Sequence, residues 1–75
     1  MNDADARIRK TISKVFGIPE SSVVETSDSF TLMEWDSLNH VQLIMALEAE
    51  FGVSFEAEQA LTLTSVVAIR DAVSK

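Results

Sequence analysis

Cysteine is absent from the 75 residues. A disulfide, a thiolate metal site and a cysteine nucleophile are therefore excluded. No stretch approaches the roughly 18 consecutive apolar residues of a membrane-spanning helix. The opening residues, MNDADARIRK, lack the apolar core of a secretory signal, so the expected location is the cytoplasm. Positive charge is missing from most of the chain: between Val15 and Ile69 there is neither lysine nor arginine. The basic residues stand at the two ends, as Arg7, Arg9, Lys10, Lys14, Arg70 and Lys75. A phosphate backbone needs a basic surface, so nucleic-acid binding is disfavoured. Internal repeats and low-complexity tracts are also absent.

What remains is a chain long enough for one small domain, residues 1–75, that is 47% hydrophobic and carries a net charge of −6. A domain of this size buries only roughly 60% of its unfolded surface, so its stability is small, on the order of 4–11 kcal/mol. The basic-free interval holds Glu20, Glu25, Asp28, Glu34, Asp36, Glu48, Glu50, Glu56 and Glu58. Uncompensated acids repel one another and cost stability. They either form a solvated surface that keeps the protein soluble or a docking surface that speeds encounter with basic partners.

Hydrophobic spacing predicts four helices. The first runs from about Asp3 to Phe16, with Ile8, Ile12, Val15 and Phe16 on one face. Asp3 and Asp5 at its start and Lys14 at its end suit the helix dipole, and Gly17 and Pro19 stop it. A long polar loop follows, with apolar anchors expected at Val23, Val24, Phe30 and Leu32. A loop of this length in so small a domain is either functional or packed down by its own side chains. The second helix spans about Ser37 to Phe51 and ends at Gly52. A short helix is expected near Glu56 to Leu61. A last one, capped by Thr64 or Ser65, runs to about Ser74 with Val66, Ile69, Ala72 and Val73 inward. The run Val53 to Phe55 is not read as a strand, because it has nothing to pair with.

The second helix, within EWDSLNHVQLIMALEAEF, is apolar on two sides. At 100° per residue, Leu43, Leu47 and Phe51 gather on one side, and Leu38, Val41 and Met45 on nearly the opposite one. A peripheral helix needs one core stripe. The bulkier stripe, with Leu43, is assigned to the core. The other then faces out or lines a crevice, where each side chain could contribute roughly 1.5–3 kcal/mol if a partner covered it. Alternatively, the bundle wraps the helix and buries both.

At the start of that helix Asp36 and Ser37 occupy capping positions, where exposed N–H groups carry positive partial charge and favour a phosphate. Asp36 can cap alone, which leaves Ser37 a free hydroxyl. His40 lies within reach as a base. Yet the G-x-S-x-G elbow of hydrolases is absent, and His40 falls on the core side of the helix, so packing is the expected role. The pairs Glu48/Glu50 and Glu56/Glu58 lack the alternating oxygen-ligand loop and glycine of a calcium site, and no metal centre is expected.

These residues resemble the acyl carrier proteins. The tripeptide DSL at Asp36, Ser37 and Leu38 opens a helix ending ALEAEFGV; a long loop precedes it, a short acidic segment follows, and TLTSVVAIRDAV closes the chain. The resemblance covers nearly the whole length. It implies an all-α fold, a small antiparallel bundle of three longer helices and one short one. It further implies that Ser37 receives 4′-phosphopantetheine from coenzyme A through a separate phosphopantetheinyl transferase, which Asp36 helps to recognise the serine. The terminal thiol of that arm would carry acyl groups as thioesters, a chemistry that a cysteine-free chain must import. Leu38, Val41 and Met45 match positions that touch partner enzymes or an acyl chain, and Glu48 and Glu56 would pair with basic patches on an acyl-loading ligase, transferase or synthase. On this reading the protein is not an enzyme, does not insert into membranes and is a monomer.

The family commonly reads Gly-Ala-Asp-Ser-Leu, whereas here Met33-Glu34-Trp35 precede Asp36. Asn39 stands where an acid is usual, and Gln42 where glutamate is usual. In these features the chain is more similar to freestanding carriers of specialised pathways than to those of bulk fatty-acid synthesis. Trp35 is expected to anchor the loop or to shield the arm. A second hypothesis is an acidic helical adaptor that binds proteins and is never modified.

Overall fold

A computed structural model describes residues 3–24 and 26–73. Glu25, the helix end expected at Ser74, the basic Lys75 and the side chain of Asp3 lie outside that description. The chain forms α1 (Asp3–Phe16), a 3₁₀ turn (Glu20–Ser22), α2 (Ser37–Phe51), α3 (Ala57–Thr62) and α4 (Val66–Val73). There is no strand among the described residues; the sole strand-like feature is an isolated bridge between Asp28 and Ser65. The architecture is thus the expected small helical bundle. Val53 to Phe55 is indeed not a strand.

Helix α1 is amphipathic. Its Ile8, Ile12 and Phe16 enter the core against Leu43 and Leu47 of α2 and Val66 and Ile69 of α4. Both long helices end in the same way. Gly17 and Gly52 adopt φ of 68° and 64°. The next N–H reaches back to a carbonyl of the last turn, Ile18 to Ser13 at 3.1 Å and Val53 to Glu48 at 3.1 Å. This left-handed cap satisfies carbonyls that a helix end would otherwise orphan, and glycine adopts it without steric cost. A methyl group at Gly52 would meet nothing within 4 Å, so only backbone strain opposes it. Gly52→Ala is expected to cost roughly 1–2 kcal/mol in a urea melt, and Gly52→Asn less.

The long loop is packed down rather than loose. Val23, Leu32 and Trp35 are buried in the core. Ser27 is also buried: its Oγ accepts the Val24 N–H at 2.9 Å. Backbone bonds stitch the loop to the α3–α4 connection, from Ser29 N–H to Thr64 O at 2.9 Å and from Val66 N–H to Ser27 O at 3.0 Å. The latter occupies a first-turn donor of α4 that has no acceptor within its own helix. Ser65 Oγ accepts from Ala68 N–H at 3.0 Å, as an N-cap should.

Two expected anchors fail. Phe30 is 96% exposed and Val24 is half-exposed. The Asp28 carboxylate accepts the Phe30 and Thr31 N–H groups at 2.9 and 3.0 Å, closing a tight turn that directs Phe30 outward. At Val23 the backbone is extended, so consecutive side chains diverge and Val24 faces away from buried Val23.

Candidate functional site

The start of α2 is built by its immediate neighbours. Asp36 is extended, at φ −100° and ψ −178°, and its Oδ1 accepts the Asn39 N–H at 2.8 Å. Its carbonyl accepts the His40 N–H at 2.8 Å, the first bond of the helix. Asn39 Nδ2 donates to Glu34 O at 2.8 Å and ties the helix back to the loop. Asp36 therefore does cap alone. Ser37, the first residue of α2, is exposed, and its hydroxyl has no hydrogen bond among the described residues. The first-turn N–H groups of a helix have no acceptor within it, so this hydroxyl sits in positive potential.

Trp35 is buried edge-on against Phe16, with ring centroids 5.5 Å apart. It anchors the loop, as expected, while also lining the site. Its Nε1 donates to His40 Nδ1 at 3.0 Å, and His40 Nε2 lies 2.8 Å from Ala60 O. An indole only donates, so Nδ1 must accept and Nε2 must carry the proton given to Ala60. The imidazole's one lone pair is thereby spent on Trp35, which removes His40 as a base for Ser37. The expected packing role of His40 holds, with hydrogen bonds that the helical wheel did not reveal.

Beside Ser37 lies a groove of about 350 Å³. Trp35, Ser37, His40 and Val41 border it from the α2 end, and Leu61 and Thr64 from α3 and its exit. Further along α2, the two apolar stripes separate cleanly. Leu43 and Leu47 are fully buried, whereas Leu38, Val41 and Met45 are 68, 57 and 58% exposed. Three further apolar residues that were not expected at the surface, Phe30, Met33 and Leu61, are largely exposed, and Leu61 borders the groove. No sequence signal separated them from their buried neighbours: exposed Met33 stands beside buried Leu32.

An exposed hydroxyl without a partner, at a helix start and at the mouth of a groove, fits a phosphodiester-linked arm. Residues 6–73 match the family described as phosphopantetheine attachment site. Over 69 residues, 92% of this chain, the sequence is 35% identical to acyl carrier protein 3, chloroplastic, of Cuphea lanceolata. The chain belongs to the phosphopantetheine-attachment family.

Membership gives it phosphopantetheine as its cofactor; when attached, that arm supplies a thiol that the cysteine-free chain lacks. The chain spans about half the length of the Cuphea relative, 48%. No helix among the described residues is long and apolar enough to cross a membrane.

The charges of the described residues are unevenly matched. Arg7 Nε donates to Glu50 Oε2 at 2.8 Å, with its guanidinium 4.3 Å from the centroid of the Phe51 ring. Arg70 Nη1 lies 3.6 Å from Asp5 Oδ2. Among the described residues Glu34, Asp36, Glu56 and Glu58 have no ion pair, and no cluster of three acids or histidines could hold a metal. Glu56 is exposed at the start of α3, whereas Glu48 is half-buried and accepts the Phe55 N–H at 2.8 Å. Screening such repulsion should stabilise the fold. The melting temperature is expected to rise between 20 mM and 300 mM salt, by about 4–8 °C for each 1 kcal/mol of repulsion removed. An unchanged midpoint in a calorimetric salt series would refute this charge assignment.

Proposed function

We propose that Ser37 is the residue that carries the phosphopantetheine arm, and that the carrier passes acyl thioesters between enzymes of fatty-acid, polyketide or other specialised acyl biosynthesis. The observation that carries this reading is the free, exposed Ser37 hydroxyl at a helix start already capped by Asp36. Asp36 would also be read by the phosphopantetheinyl transferase. Leu38, Val41 and Met45 form the apolar part of the partner face. Glu56, with Glu48 to the extent that Phe55 leaves it free, meets lysines and arginines of the loading ligase, transferase or synthase. The carrier acts as a monomer. The compartment proposed is the cytoplasm; the Cuphea relative is, by its name, chloroplastic.

The test uses the absence of basic residues across the site. Trypsin cannot cut near Ser37, but cleavage after Glu34 and Glu48 releases Trp35 to Glu48, in which Ser37 is the only hydroxyl-bearing residue. After incubation with a transferase and coenzyme A, intact mass should rise by one arm, and the increment should reside on that peptide. An increment on any other peptide would overturn the assignment.

A further inference from the structure

Helix α3 is the least secured element of the fold. It has six residues and contributes no buried side chain, and Glu56 at its start makes no side-chain cap bond. A helix this short does not hold itself together in water. Its position depends on what ties it to the remainder. Hydrogen bonds on either side of it and one within it serve that purpose among the described residues. Glu48 Oε2 accepts Phe55 N–H before the helix begins, and Thr64 O accepts Ser29 N–H after it ends. The only such bond that lands within α3 is His40 Nε2 to Ala60 O, at 2.8 Å. Ala60 belongs to the last turn of α3, where its carbonyl also accepts the Leu63 N–H at a longer 3.3 Å. It is next to Leu61, which borders the groove at Ser37.

We infer that His40 is a positioning residue: its neutral imidazole clamps α3 at Ala60 and so sets the opening of the groove beside Ser37. The clamp needs both nitrogens. Trp35, seated against Phe16, holds Nδ1 and fixes the ring, and the ring then presents its Nε2 proton to α3. The Nδ1–H tautomer would set two donors against each other at Trp35. His40 thus links the residue two before Ser37, the helix that bears Ser37 and the opposite wall of the groove. The functional consequence rests on Ser37 being the arm-bearing residue, because the opening then governs how far an apolar chain on the arm is sheltered by the protein.

Nitrogen-15 spectra of the 75-residue chain should show His40 with Nε2 protonated and Nδ1 bare; the opposite tautomer would overturn the inference. Amide hydrogen exchange then tests the clamp. His40→Phe keeps the ring but removes both nitrogens. It should speed exchange in α3 by about ten-fold, the effect of one hydrogen bond, while α1, α2 and α4 change less. His40→Gln, which offers one acceptor and one donor, should recover part of the protection. Equal acceleration in all four helices of both variants would mean that His40 serves only general stability, and unchanged α3 exchange would mean that it clamps nothing. If the unaltered protein itself takes no arm, the carrier reading fails, whereas the tautomer and exchange results still decide the clamp.

Discussion

Ser37→Ala is expected to abolish arm attachment while leaving the fold as stable as before. The first effect is total, because the phosphodiester is made to the hydroxyl oxygen and no other group at the helix start can replace it. The second follows from the local geometry. Ser37 is exposed, its hydroxyl holds nothing in place, and the orphan N–H of Asn39 is already satisfied by Asp36. Alanine also favours the helical conformation more than serine does, so the melting temperature should hold or rise slightly. Asp36→Ala should behave in the reverse manner. Loss of the cap costs about 0.5–2 kcal/mol, and the serine remains modifiable at a reduced rate. Intact mass after transferase treatment, with a thermal melt of the same samples, separates the two. An unmodified acidic adaptor would show no mass change in any variant, and Ser37→Ala would not alter its binding to partners.

The second large effect lies beneath the site. Leu43 is fully buried among α1, α2 and α4, and its truncation leaves a cavity that a small bundle cannot close. Leu43→Ala should cost about 2–5 kcal/mol, a large part of the roughly 4–11 kcal/mol available to a domain of this length. Met45 stands two residues on and points away; at 58% exposure it has little to lose, and Met45→Ala should fall within about 0.5 kcal/mol. If the proposed partner face is right, the same change should weaken binding to a partner enzyme, which would cover what the fold leaves exposed. Chemical denaturation of both variants checks the first contrast, and partner titration checks the second. Equal losses of stability would mean that the two stripes of α2 are exchanged.

Helix boundaries were readable because local physics sets them. The apolar period marked Asp3–Phe16 and Ser37–Phe51, and glycines at 17 and 52 ended them through a backbone conformation that few other residues adopt. The short helix was displaced by one residue, to Ala57–Thr62, since α3 has neither a strong cap nor a buried face to define its limits. Phe30 and Val24 were misread for a different reason. Hydrophobicity indicates that a loop residue can be buried, but not which way the loop turns. That direction came from the Asp28 side chain bonding to the backbone ahead of it.

The order of residues alone thus determined the helices, the acidic middle, the absence of a thiol, and the serine left free by a capping aspartate. All of these depend on neighbours within one or two turns, or on composition. Folding decided the rest. The pairing of Trp35 with His40, the grip of His40 on Ala60, the diversion of Glu48 to Phe55 and the outward turn of Phe30 each require side-chain directions in three dimensions. His40 and Ala60 are twenty residues apart, and no periodicity links them. Packing alone brings them within hydrogen-bonding distance.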